Sequence, residues 1–72
     1  MKDTSTYQID LQNHIEEHEL NATSPIQTRV IHADKSFTRL SVLTDQSGLI
    51  GLVRHLHARG LVLLSIHRDQ TY

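Results

Sequence analysis

The sequence predicts a small α+β domain of four strands and one helix. Three observations predict it. Residues 44–66, TDQSGLIGLVRHLHARGLVLLSI, read as a capped helix, a glycine stop and an apolar strand. Tyr7, Ile9 and Leu11 alternate with Gln8, Asp10 and Gln12, the period of a half-buried strand. Two β-rich runs, 26–33 and 37–43, flank the short polar stretch Asp34-Lys35-Ser36, which makes a hairpin.

Taken in order, residues 1–5 are polar and expected to be loose, and the first strand is expected at about residues 6–13. Residues 14–25, HIEEHELNATSP, are acidic, and Ile15 and Leu20 are their only large apolar side chains. Two anchors do not hold a long helix, so a loop or a single turn near 15–20 is expected. Pro25 closes the segment and biases Ser24 toward an extended shape. In the strand at 37–43, Leu40 and Val42 share one face and Phe37, Arg39 and Ser41 the other. Thr44 or Asp45 can cap the helix at 46–59. Leu49, Leu52, Val53 and Leu56 form its apolar stripe, Ile50 and His57 flank it, and Ser47, Arg54, His55 and Ala58 point outward. Gly60 stands where helices stop in the left-handed conformation. The last strand is expected at 61–67, apolar on both faces, and residues 69–72 are expected to be loose.

The order β-β-β-α-β, with the first and last strands side by side, describes a ferredoxin-like four-stranded antiparallel or mixed sheet over residues 6–68 whose first helix is reduced to a loop or turn. One helix covers one face. On the first strand the other face carries Gln8, Asp10 and Gln12, which suits water. On the last strand it carries a second apolar row, either Leu61 and Leu63 or Val62, Leu64 and Ile66, with Phe37 nearby. A chain of 72 residues has a small core and gains from association. Phe37, Leu61, Val62, Leu63 and Leu64 are therefore the candidate surface for a homodimer or a protein partner.

Composition narrows the function classes. Cysteine is absent, which removes disulfides, thiolate metal sites and thiol nucleophiles and is compatible with a reducing cytoplasm, the expected location. No run of roughly 18 apolar residues spans a membrane, and MKDTSTYQID lacks the apolar core of a secretion signal. Asn21-Ala22-Thr23 matches a glycosylation triplet by chance in that setting. Net charge is −1, divided as −4 over residues 1–25 and +3 over residues 26–72, so no global basic field draws nucleic acid. Arg54, His55, Arg59, His67 and Arg68 form a basic rim, but the chain offers only Tyr7, Phe37 and Tyr72 for stacking on bases.

Motifs of chemistry are sparse. His14-Ile15-Glu16-Glu17-His18 fits the inverted zinc-protease pattern H-x-x-E-H, which needs both histidines on one helix and a third ligand. His14 is expected at the end of a strand, so solvated histidines are the plainer reading. His55 and His57, two apart on a helix, point about 200° from one another and cannot share a metal. No G-x-S-x-G elbow and no glycine-rich phosphate loop occur. No catalytic residue, no metal site and no cofactor is expected. Asp45, Gln46, Ser47 and Gly48 are the candidate ligand residues, because a helix start presents free N–H groups to an anion.

Asp45-Gln46, Leu49, Gly51-Leu52, Leu56, Gly60-Leu61, Leu63-Leu64-Ser65 and Ile66 follow the pattern D-Q-x-x-L-x-G-L-[LV]-x-x-[LI]-x-x-x-G-L-x-L-[LI]-S-[IV]. With Tyr7, Ile9, Leu11 and His14-Ile15 it resembles a group of small uncharacterised bacterial proteins of about this length. Asn13 stands where that group usually has Gly, and residues 16–25 lack its Trp and Phe. The resemblance implies a fold and no activity. A looser likeness, in Asp45, Gly48-Leu49-Ile50, Gly60 and Ser65-Ile66, is to ACT regulatory domains. That likeness implies sheet pairing and small-ligand sensing near the turn at Asp45. In ACT domains this unit comes first and a ββαβ follows, whereas here it comes last. Two functions follow as expectations: a non-catalytic self-association or interaction module, and a small-ligand regulatory sensor.

Overall fold

The computed structural model describes residues 4–69. Residues 1–3 and 70–72, most of the two stretches expected to be loose, lie outside the described residues. The elements are β1 (Ser5–Gln12), α1 (Glu17–Thr23), β2 (Arg29–Ala33), β3 (Phe37–Thr44), α2 (Gln46–Ala58) and β4 (Leu63–Asp69). Ser5 and Asp69, placed by sequence in loose ends, are strand residues paired with Thr44 and Thr6.

The four strands form one antiparallel sheet in the order β2-β3-β1-β4. β1 and β4 are neighbours, as expected. Where a loop or a single turn was expected after β1 there is a seven-residue helix, α1. Leu20 of α1 and Ile15 just before it are buried in the same cluster as Leu52 and Leu56 of α2 and Ile9, Leu11, Leu40 and Val42 of the sheet. Both helices therefore lie on one face, with the core between them and the sheet. Polar bonds supply what α1 lacks in apolar anchors. Asn21 accepts from the Thr28 N–H at 2.8 Å and donates to the Thr28 carbonyl at 2.9 Å. Glu17 accepts from the Val30 N–H at 2.8 Å. Arg59 Nη1 donates to the Glu19 carbonyl at 3.1 Å and to Thr23 Oγ1 at 3.2 Å.

α2 begins and ends where the sequence places it. Asp45 is the cap, its carboxylate accepting from the Gly48 N–H at 2.8 Å. Gly60 has φ 79°, a conformation that favours glycine. Asn13 has φ 73° at the exit of β1, and asparagine is among the few other residues that adopt it readily. On α2, Leu52 and Leu56 are buried and Leu49 and Val53 half-buried. His55, expected in water, is half-buried and faces α1, with Nε2 3.2 Å from Thr23 Oγ1.

A bulge shapes β4. Leu11 pairs with Leu63 and Asp10 with Ser65, so Leu64 is the extra residue. Directly opposed residues share a face, so Leu63 and Ile66 point to the helix side with Leu11 and Ile9, and Ser65 points to the open side with Asp10. The expected single row Val62, Leu64 and Ile66 is thereby split.

Candidate functional site

β4 is an edge strand, and among the described residues its outer side faces no other strand. The Gln12 N–H bonds the Val62 carbonyl at 2.9 Å. N–H groups alternate along a regular strand, so Asp10, Gln8 and Thr6 also turn theirs toward β4 and pair with Ser65, His67 and Asp69. The N–H groups of Ile66 and Arg68 then point to the open edge. Val62 and Leu64 beside that edge are 50% and 53% exposed. On the helix side a hollow of about 650 Å³ lies between α2 and β4, lined by Val53, His57, Leu61, Val62 and Leu63 among others. Of the candidate partner residues, Leu61 and Leu63 pack against the core, Val62 and Leu64 are exposed, and Phe37 is on β3, with β1 between it and β4. Phe37 pairs with Gln12 from β3 on the open face, where its ring stacks on His32 at 4.8 Å and lies 5.4 Å from the Arg39 guanidinium.

The centre of the open face is an ion pair. Arg39 donates from Nε and Nη2 to the two Asp10 oxygens at 2.8 and 3.1 Å. Ser65 Oγ adds a bond to Asp10 at 3.1 Å. Arg39 holds the Asp10 carboxyl below its ordinary range, against a smaller opposing effect of burial; Ser65 and the charge of His67 add to the lowering. At the hairpin, Asp34 is likewise lowered, chiefly by His32 at 2.8 Å and then by the N–H groups of Phe37 and Ser36. These groups satisfy one another and rigidify the face.

The candidate ligand residues Asp45, Gln46, Ser47 and Gly48 stand together at the first turn of α2. Gly48 is occupied in the cap. Asp45, Gln46 and Ser47 line a hollow of about 490 Å³ that also takes in Ser5, Tyr7 and Arg68. The sequence pattern misses these last three. Tyr7 and Arg68 are opposed across β1 and β4, a register that no local signal reveals. Arg68 Nε donates to Ser5 Oγ at 3.1 Å.

The H-x-x-E-H histidines do not share a helix. His14 precedes α1 and contacts Glu16 at 3.0 Å. Among the described residues no group of three or more potential ligands is arranged to hold a metal, and no helix is long and apolar enough to cross a membrane. No family model, curated protein or solved structure matches the chain.

Proposed function

We propose that the protein is a non-catalytic module that works by self-association, two copies pairing through β4. The observation that carries this is an unpaired edge strand with half-exposed Val62 and Leu64 beside it and an apolar hollow behind it. Proteins usually guard such edges with charge, proline or short strands. The other edge follows that practice: β2 has five residues and exposes Arg29 and His32. β4 carries Arg68 and Asp69 at its exposed end, and the uncharged part of the edge is the stretch 61–66 before them. An antiparallel edge is its own complement about a two-fold axis. A net charge of −1 also sets little repulsion against a second copy.

The same reading takes the fold as ferredoxin-like. Its support is the chain path: β1 and β2 run parallel with β3 between them, and β3 and β4 run parallel with β1 between them, each pair joined by one helix. Two copies joined at β4 make one eight-stranded sheet with all four helices on the same side.

Sedimentation over a range of about 1 μM to 1 mM, which spans weak to moderate association, tests the proposal. The expected mass rises from 8.2 kDa toward twice that value. Leu64→Lys is expected to hold it at the lower value. A wild-type chain that stays monomeric throughout overturns self-association.

A further inference from the structure

The helices do not fully cover β4. Ile66 and Ile9 oppose one another and point to the helix side, yet Ile9 is 0% exposed and Ile66 is 38% exposed. The chain reaches this uncovered ground from the end of α2. Gly60 turns it at φ 79°, and the Leu61 N–H bonds the Leu56 carbonyl at 3.1 Å. A Cβ at Gly60 would meet nothing within 4 Å, so the turn does not fill the space beside it. Residues 61–63 and α2 then enclose the hollow of about 650 Å³. Val53, Leu61, Val62 and Leu63 give it an apolar lining, and Arg54 and His57 give it charge. These last two are three apart on α2 and therefore neighbours on one helix face. Among the described residues no acidic side chain lines the hollow, and neither Arg54 nor His57 makes an ion pair.

We propose that this hollow binds an aliphatic carboxylic acid of medium chain length, its hydrocarbon against Val53, Leu61, Val62 and Leu63 and its carboxylate at Arg54 and His57. The lining and the rim ask for both properties in one ligand. Each methylene taken out of water strengthens binding by up to about fourfold, so the hydrocarbon supplies most of the affinity. Arg54 is exposed, and an exposed ion pair is weak. It therefore selects a carboxylate over a neutral head group and sets which way the chain lies. The volume of about 650 Å³ falls within the range of small-molecule sites. This site lies on the helix side of β4, is complete in one copy and does not rest on pairing through the edge.

The test is an amide-shift titration of the full chain with octanoate, octanol and acetate, each separately and at matched ionic strength. Octanoate is expected to move the amides of Val53, Leu61, Val62 and Leu63 saturably. Octanol is expected to bind about two- to fivefold more weakly, the size of an exposed ion pair, and acetate not to saturate over the same range. Arg54→Gln is expected to bring octanoate down to the affinity of octanol. Arg54→Glu, which adds repulsion to the lost attraction, is expected to weaken octanoate about tenfold and octanol less than about twofold. Unchanged spectra at β2 and the far end of β3 report that each variant is folded. Amides at 53 and 61–63 unmoved by octanoate, or saturated equally well by acetate, overturn the site. Octanol bound as tightly as octanoate, or octanoate affinity unaltered in both variants, overturns the assignment of a carboxylate at Arg54. Sedimentation of the same samples gives their mass, so failure of this site and failure of self-association are read separately.

Discussion

Leu52 shows what a single side chain contributes here. It is fully buried between α2 and the sheet, so Leu52→Ala removes both its transfer free energy and the packing around it. The expected loss is about 2–5 kcal/mol by urea unfolding, and a loss below about 1 kcal/mol contradicts the assigned helix face. Leu52 was legible in the sequence because its spacing from Leu49 and Leu56 needs no knowledge of the fold. Asp10 was legible only as a polar residue on a wet face. Its partners Arg39 and Ser65 lie on other strands, and the register that joins them is not written locally. Its lowered folded-state pKa fixes the sign of a pH effect. A depressed carboxyl contributes stability that is full above the unfolded value and fades as pH falls through the folded one. Asp10→Asn should therefore be less stable than wild type at pH 7. The gap should shrink as the pH falls below 3.8, the ordinary value. Urea midpoints at pH 7 and pH 3 measure it, and an equal gap at both contradicts the role given to the ion pair.

Among the elements, α1 is the one that its own sequence undersells. Two apolar residues do not hold a helix, and that rule is sound for a helix standing alone. Here Leu20 is buried by α2 and the sheet, and Asn21, Glu17 and Arg59 tie the segment to its neighbours. Asn21→Ala leaves the Thr28 N–H and carbonyl without their partner. It should cost about 1–3 kcal/mol and speed amide exchange at Thr28; unchanged exchange there contradicts this account of α1. α2 was legible almost to the residue, because cap, stripe and stop are all local. One of its glycines carries a further expectation. A methyl group on Gly48 would overlap the Thr44 hydroxyl and crowd the Asp45 carboxylate that caps the helix. Alanine is the better helix former by about 1 kcal/mol, yet Gly48→Ala should destabilise by about 1–3 kcal/mol from overpacking. A variant more stable than wild type in urea would show that Thr44 yields freely.

For the whole molecule, the sequence revealed the sheet, the pairing of β1 with β4 and an excess of apolar side chains on the last strand. It did not reveal how that excess is divided. The bulge at Leu64 turns Leu63 and Ile66 toward the helices and leaves Val62 and Leu64 at the rim. Phe37 sits at the hairpin end of the open face, opposite Gln12, two strands across from β4. The start of α2 was legible as a candidate site. Tyr7 and Arg68, which give it depth and charge, were not, since only strand register brings them there. Self-association through an edge makes one demand that no other mode of contact makes: backbone N–H groups now facing outward must acquire acceptors from a second chain. Amide exchange at Ile66 and Arg68, followed as protein concentration is raised, reads those groups directly. Pairing of β4 with β4 predicts that both become protected in step with the rise in mass. Exchange at these two amides that stays fast while the mass doubles would contradict it.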